Sequence, residues 1–159
     1  MKFNIVIIGA GQLGSRYLQG IKASAFDYNI YVIDPSEASL EIAKQRYNSF
    51  SGEKNNFLTF NKNINNIPEN VDICIVATTA EIRKKVLFNF LEKTTVRYII
   101  LEKVVFQNIE DFNYTKQKFK KKNIKSWVNC PRRTYKLYKK IKKKYQNQIL
   151  DIRVEGNDW

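Results

Sequence analysis

The sequence predicts an α/β domain built on a doubly wound parallel sheet, because short apolar segments alternate with longer amphipathic ones. The short segments are rich in β-branched residues, which is typical of strands. They are apolar at nearly every position, so helices must cover both faces of the sheet, as in parallel sheets. The predicted strands span residues 3–8, 29–33, 57–60, 72–77, 96–101 and 125–128.

The segments between these strands have the apolar spacing of helices that pack one face against a sheet. The residues on the apolar face of the first segment are Leu13, Tyr17, Leu18 and Ile21. Before the third helix, Thr78 and Glu81 have the spacing of a capping box. The polar segment 61–70 is too short for a good helix and predicts a loop or a single turn. The predicted helices span residues 12–24, 36–48, 79–92 and 108–121.

The last part of the chain has a different character. A turn signal at Pro131 precedes a predicted basic helix over residues 132–146. A strand is predicted over residues 149–155, and it would be an unpaired edge if the protein ended just after it. We therefore expect residues 1–128 to form one domain. Residues 129–159 would begin a second α/β domain whose remainder is absent, through truncation rather than as a natural fragment.

The composition limits the kinds of partner to consider. With 159 residues and a hydrophobic content of 43%, the chain is long enough for one buried core. The formal net charge of +13 is consistent with an acidic partner. The surplus of Lys, Asn, Ile, Tyr and Phe is also what AT-rich coding produces, and we favour this explanation of the charge.

The cysteines and the N-terminus indicate the compartment. Cys74 and Cys130 form no CxxC pair and histidine is absent, which argues against a Cys/His zinc site and fits a reducing compartment. The N-terminal apolar run is too short for a signal peptide or a membrane span. We therefore expect a cytoplasmic protein without a bound metal.

The segment from Gly9 to Gly14 has the glycine pattern of a dinucleotide-binding turn, and it lies between a predicted strand and a predicted helix. Gly9 permits the tight turn, Gly11 lets a pyrophosphate approach the backbone, and Gly14 lets the helix pack close to the sheet. The helix N-terminus at Gln12 and Leu13 offers unpaired N–H groups to the phosphates. A tight turn without a ligand is the alternative, which the strand–turn–helix context disfavours.

Asp34 ends the second predicted strand, 20 residues after Gly14. A carboxylate at this place can accept hydrogen bonds from the adenosine ribose hydroxyls of NAD, and it repels the 2′-phosphate of NADP. The next four residues contain no arginine to hold that phosphate, so we expect a preference for NAD. Alternatively, Asp34 caps the second helix, with Pro35 at its first position and Glu37 at its third.

Two further groups of residues follow strands at the same edge of the predicted sheet, where doubly wound sheets bind ligands. Ala77, Thr78 and Thr79 follow the fourth strand and are expected to contact the cofactor, unless one threonine serves only as a helix cap. Glu102 and Lys103 follow the fifth strand, where an acid and an amine can contact nicotinamide and substrate. Glu-Lys pairs are common on protein surfaces, so their spacing alone carries modest weight.

Taken together, these segments resemble the N-terminal half of the glucose–fructose oxidoreductase, inositol dehydrogenase and MocA family over essentially the whole chain. The segments that carry the resemblance are IVIIGAGQLGSRYLQGI, YVIDPSEASLEIAKQRY, VDICIVATTAEIR, YIILEKVVFQNIEDF and VNCPRR. The family's Glu-Lys-Pro motif falls on Glu102 and Lys103, with Val104 in place of the proline. The resemblance implies a Rossmann fold, NAD as cofactor, and a dehydrogenase acting on a sugar or nucleotide sugar, in particular one encoded with bacterial surface-polysaccharide genes.

The resemblance also implies roles for individual residues. Lys103 would lie near the reacting carbon and the nicotinamide, bind the substrate hydroxyl and shuttle its proton. Asn129 and Arg132 match the family's Asn-Arg segment and would contact substrate, although a solvated basic turn is an equally good interpretation. The family completes its active site with a second domain that carries a histidine. We therefore expect this chain alone to bind cofactor and to be catalytically silent, and only the complete protein to form a homo-oligomer.

The predicted basic helix permits a second class of function. It holds eight Lys or Arg residues between positions 132 and 144, over a stripe of Tyr135, Tyr138, Ile141 and Tyr145. Such a helix can bind the phosphates of nucleic acid or of a membrane, or attract an anionic substrate. We favour a solvated face over a stripe that packs against the second domain, with neither membrane nor nucleic acid as partner. The alternative function is a non-catalytic NAD-binding regulatory module that binds nucleic acid through this helix.

Overall fold

The computed structural model describes residues 2–51, 56–149, 151 and 153. The chain divides into two compact units, Met1–Asn129 and Cys130–Trp159, and each is described by itself. The strand predicted over residues 149–155 lies for the most part outside the described residues.

The first unit contains a six-stranded parallel sheet. Its strands are β1 (Phe3–Ile8), β2 (Tyr28–Ile33), β3 (Phe57–Asn61), β4 (Asn70–Val76), β5 (Thr95–Glu102) and β6 (Lys125–Asn129). They lie in the order β3-β2-β1-β4-β5-β6, and all neighbouring pairs are parallel. The chain therefore runs outward from β1 to one edge, returns beside β1 and runs outward to the other edge. This order confirms the predicted doubly wound α/β fold.

Helices cover both faces of this sheet, as its apolar strands require. They are α1 (Gln12–Lys22), α2 (Glu37–Ser49), α3 (Ala80–Lys93) and α4 (Ile109–Lys121). Successive side chains of β1 point to opposite faces. Ile7 belongs to one buried cluster with Leu18 of α1, whereas Val6 belongs to the other with Leu87 and Phe90 of α3.

Most element bounds in the first unit differ from the predicted ones by at most one residue. The first helix, however, ends at Lys22 rather than at residue 24. β4 begins at Asn70, two residues earlier than predicted, because Asn70 pairs with Thr95 of β5. The segment 61–70 contains the expected single turn, a 3-10 helix over Ile64–Asn66, although its two end residues belong to strands.

The capping box predicted from Thr78 and Glu81 is wrong. Helix α3 begins at Ala80, so Thr79 occupies the cap position, and its side chain makes no capping hydrogen bond within the described part of the chain. Thr78 belongs to the preceding loop, and its carbonyl accepts a hydrogen bond from Arg83.

The second unit contains a 3-10 turn, Pro131–Thr134, and the basic helix α5, Lys136–Lys144. The continuous helix predicted over residues 132–146 is therefore wrong. Tyr135 lies between turn and helix with an extended backbone (ψ 135°), and its N–H donates to the Arg132 carbonyl at 3.1 Å.

The apolar stripe of α5 is exposed at Tyr138 and Ile141. Its burial against a second domain remains a prediction. None of the helices in the described ranges is both long and apolar enough to cross a membrane.

Candidate functional site

A cleft of about 490 Å³ opens at the carboxyl edge of the sheet, among the loops that follow β1, β2, β3 and β4. The sheet order reverses between β1 and β4, so this is the switch point at which doubly wound sheets bind ligands. Many of the predicted cofactor-binding residues line it together, namely Gly9, Gly11, Asp34, Ala77, Thr78 and Thr79. Other lining residues, which the sequence did not single out, are Lys62, Asn63, Ile64, Ile82, Val86 and Asn89.

The three glycines of the turn have different structural roles. Gly9 has a φ of 98°, in the region that favours glycine, and its N–H donates to the Ile33 carbonyl at 2.8 Å. A Cβ on Gly14 would lie 1.8 Å from the Gly9 carbonyl oxygen, so only glycine lets α1 approach the turn this closely. A Cβ on Gly11 would meet nothing within 4 Å. Gly14 therefore serves the fold, whereas Gly11 leaves space beside the cleft.

The N-terminus of α1 is suited to an anion. Gly11 is its cap residue and has no side chain that could bind the N–H groups of the first turn. First-turn N–H groups, together with the positive end of a helix dipole, are the groups that bind a phosphate at a helix N-terminus. The backbone N–H groups of Gln12 and Leu13 belong to this first turn, whereas the Leu13 side chain lines a separate groove with Tyr17 and Asn129. Their contact with the cofactor remains a prediction.

Asp34 ties the end of β2 to the glycine turn. Its Oδ2 accepts the Ala10 N–H at 2.7 Å, and its Oδ1 accepts the Ser36 N–H at 2.9 Å. The cap of α2 is Ser36, whose hydroxyl accepts the Ser39 N–H at 3.2 Å, so the structure excludes the alternative that Asp34 is the helix cap. A carboxylate has about four acceptor sites, so Asp34 keeps capacity for hydroxyl donors in the cleft.

Thr78 lines the same cleft and carries an unsatisfied side-chain oxygen. Its Oγ1 is buried and has no hydrogen-bond partner among the described residues. Such an atom costs about 1–3 kcal/mol unless something pairs with it. The cleft itself combines the carboxylate of Asp34 with the helix N-terminus at Gly11, so the residues present fit a nucleotide with hydroxyl and phosphate groups.

Glu102 ends β5 with its side chain buried, at 3% exposure. Its Oε1 accepts the Tyr17 hydroxyl of α1 at 2.6 Å and the Asn129 amide of β6 at 2.7 Å. Glu102 and Asn129 are opposite each other in the register of β5 and β6. The carboxylate predicted to contact the cofactor is thus engaged by two neighbours, and it does not line the cleft.

Lys103 directly follows Glu102, and its side chain is exposed at the carboxyl end of β5. The peptide bond from Lys103 to Val104 is cis, although valine stands where the family has proline. Lys103 follows β5 at the carboxyl edge of the sheet, the edge at which the glycine turn follows β1.

Sequence reasoning missed Arg83, which is 2% exposed on α3. Its guanidinium donates to backbone carbonyls of the loops after β4 and β5. Burial lowers its pKa, and the nearby charge of Glu102 opposes this shift. The signal available in the sequence was its spacing from Leu87 and Phe90, which places Arg83 on the buried face of α3.

The family of this chain follows from its match to a protein-family model. The model of the GFO/IDH/MocA oxidoreductase family, NAD-binding Rossmann fold, matches residues 3–130. The chain belongs to this family. The resemblance inferred from the sequence is thereby confirmed, and NAD is the cofactor of the domain. No curated protein is significantly similar to the chain.

Several solved structures share the fold. An NAD-binding protein from Listeria innocua is 21% identical, with a TM-score of 0.68 over 92% of this chain and 40% of that one. GenD2 from gentamicin A biosynthesis, in complex with NAD, is 10% identical, with a TM-score of 0.73 over 92% and 39%. The WlbA dehydrogenase from Chromobacterium violaceum, in complex with NADH and UDP-GlcNAcA, is 15% identical, with a TM-score of 0.69 over 91% and 40%. The chain thus spans about 40% of the length of these structures.

Arg132, the second residue matched to the family's Asn-Arg segment, lies in the 3-10 turn of the second unit. Its side chain is exposed. Asn129 belongs to the first unit and holds Glu102, so its amide has a described role within the domain. A substrate contact for either residue remains a prediction.

Tyr17 gives the domain a defined response to alkaline pH. Burial, followed by the hydrogen bond to Glu102 and its charge, raises the pKa of Tyr17 above the ordinary value of 10.0. Above that pH the unfolded chain loses the proton while the folded chain keeps it, so the free energy of unfolding falls as the pH rises. Tyr17→Phe lacks the titrating hydroxyl. Its free energy of unfolding in urea should therefore decline less steeply between about pH 9 and 11 than that of the parent.

The Cys74 thiol is the appropriate internal reference, because burial raises its pKa in both proteins. Its contribution to the pH dependence of unfolding begins near its ordinary pKa of 9.0 and is common to the parent and Tyr17→Phe. An equal pH dependence of the two proteins would contradict the prediction.

Proposed function

We propose that this chain is the cofactor-binding part of an NAD-dependent dehydrogenase that oxidises a secondary alcohol of a sugar or nucleotide sugar. The observation that carries the proposal is the position of Lys103. It is an exposed amine directly after the buried Glu102, at the same sheet edge as the NAD-binding turn. Residues 129–159 would begin the substrate-binding domain of the complete protein.

In this proposal each residue has a separate task. Bound NAD⁺ supplies the hydride acceptor. Lys103 binds the substrate hydroxyl and takes its proton as the carbon is oxidised. Asp34 and Thr78 bind the cofactor in the cleft, while Glu102 supports the lysine turn through its bonds to Tyr17 and Asn129. Arg132 is proposed to contact substrate.

Two observations favour an anionic substrate such as a nucleotide sugar. The net charge of +13 attracts anions at long range. One structure with the same fold, the WlbA dehydrogenase, was solved with UDP-GlcNAcA. Nucleotide sugars are precursors of polysaccharides, so we place the complete enzyme in surface-polysaccharide synthesis.

The test is an assay of the complete gene product with NAD⁺ and a panel of UDP-linked sugars, sugar acids and inositols, followed through NADH absorbance. We expect turnover with a member of the sugar or nucleotide-sugar class and none from residues 1–159 alone. Absence of turnover, together with a salt-sensitive gel shift of DNA, would favour the regulatory alternative instead.

Asp34 should set the choice between NADH and NADPH. Asp34→Asn keeps an oxygen acceptor but removes the charge that repels a 2′-phosphate, so the preference for NADH should fall about tenfold. Asp34→Ala also loses the bond to Ala10 and should weaken the binding of both cofactors. Calorimetric titration measures each affinity.

Ser36→Ala is the matched control for Asp34, because it removes the cap of α2 without touching the glycine turn. It should lower stability and leave the cofactor preference unchanged. An unchanged preference in Asp34→Asn would contradict the role of the carboxylate.

A further inference from the structure

The guanidinium of Arg83 joins two loops that carry functional groups. Nη2 donates to the Thr78 carbonyl in the loop after β4. Nη1 donates to the carbonyls of Glu102 at 2.7 Å, Val105 at 2.9 Å, and Val104, all at or beyond the end of β5. One buried side chain on α3 therefore binds the carboxyl ends of two neighbouring strands.

We propose that Arg83 is a positioning residue that holds the Thr78 loop and the Lys103 turn in a fixed arrangement. The proposal rests on the proposed function, because it concerns the group to which that function assigns proton transfer. Lys103 lies between Glu102 and Val104, and Arg83 binds the carbonyls of both. The backbone on each side of the lysine is thereby held from α3.

The chemistry of the contact requires an arginine. Its planar fork presents several donors in fixed directions, so one residue can bind carbonyls that belong to separate loops. A lysine ammonium at position 83 would be a single centre on a flexible stem and could not span both loops in the same way. The hydrogen bonds of Arg83 go to backbone carbonyls, and a buried cation without them would be costly.

The Nε atom of Arg83 takes no part in these contacts. It is buried and has no hydrogen-bond partner among the residues that the structure describes. The side chain therefore leaves one donor unused while its two terminal nitrogens bind the loops. The guanidinium is thus oriented toward the Thr78 loop and the Lys103 turn.

Both loops should loosen together when Arg83 is replaced. Thr78 lines the NAD-binding cleft, so movement of its loop weakens cofactor binding. Movement of the other loop displaces Lys103. A residue that only stabilised the fold would have no reason to affect these two segments more than others.

The test uses the 159-residue chain with Arg83→Gln and Arg83→Lys. The matched control is Leu87→Ala, because Leu87 is fully buried one turn further along the same helix. NADH affinity is measured by calorimetry, and amide hydrogen exchange of both loops is measured by NMR. We expect Arg83→Gln to weaken NADH binding about tenfold and to speed exchange in both loops, with smaller effects in Arg83→Lys.

Leu87→Ala should lower the melting temperature while leaving NADH affinity and loop exchange unchanged. The proposal is overturned if a folded Arg83 variant binds NADH like the parent, if exchange rises in one loop alone, or if Leu87→Ala shows the same loss. If neither Arg83 variant folds, the residue is required for the stability of the fold, and the proposal is likewise overturned. The outcome is separable from the proposed function, since neither measurement requires turnover.

Discussion

Alanine at Gly14 is expected to unfold the first unit, whereas alanine at Gly11 is expected to leave the fold intact and strongly weaken NAD binding. The added Cβ on Gly14 would lie 1.8 Å from the backbone oxygen of Gly9, which cannot move without breaking the turn. We expect a loss of more than about 4 kcal/mol in the free energy of unfolding. Thermal unfolding followed by circular dichroism measures this loss.

Gly11 lies in a different environment, because a Cβ there meets no atom within 4 Å and its φ of −63° suits any residue. Gly11→Ala should therefore unfold at nearly the parent temperature. Its methyl group would occupy the space through which the pyrophosphate approaches the backbone, so the Kd for NADH should rise about 100-fold or more.

Gly20→Ala is the matched control for both variants, since Gly20 also lies in α1 and has open space at its Cβ. It should stabilise the helix by about 0.5–1 kcal/mol and leave NADH affinity unchanged. A folded Gly14→Ala, or normal NADH binding by Gly11→Ala, would contradict the division of roles between the two glycines.

Replacement of Lys103 by methionine is expected to lower the turnover of the complete enzyme about 1,000-fold, within the range for loss of a general acid–base group. Methionine keeps most of the side-chain length but cannot bind or transfer a proton. The Kd for NADH should stay the same, because Lys103 does not line the cleft. Turnover and NADH titration are measured on the same preparation.

Lys121→Met serves as the control for Lys103, as an exposed lysine at the end of α4. It should keep parent activity. Normal turnover in Lys103→Met would show that another group handles the substrate proton.

The predictable part of this protein is the part encoded by local sequence. The strand, turn and helix around Gly9 to Gly14, and the carboxylate of Asp34 at the end of β2, follow from residue types and spacing that act within a few positions. Parallel pairing then brings the loops after β1 and β4 to one edge. The cleft residues in these loops could therefore be predicted from the sequence, whereas those of α3 and of the segment after β3 could not.

The unpredicted part depends on contacts between distant residues. Tyr17 and Glu102 are 85 positions apart, and their hydrogen bond exists only because α1 packs beside the end of β5. Arg83 was hidden because an arginine on a helix is usually solvated, and its carbonyl partners are identified only by the fold. The predicted helix from residue 132 failed for a related reason, since nothing in the apolar spacing revealed the extended conformation of Tyr135.

The most direct test of the central claim is a calorimetric titration of the 159-residue chain with NADH and with NADPH under the same conditions. NADH should bind at one site per chain, and more tightly than NADPH, because Asp34 lies in the cleft and the four residues after it include no arginine to hold a 2′-phosphate. Equal or tighter binding of NADPH, or no binding of NADH, would contradict the assignment of the cleft as an NAD site.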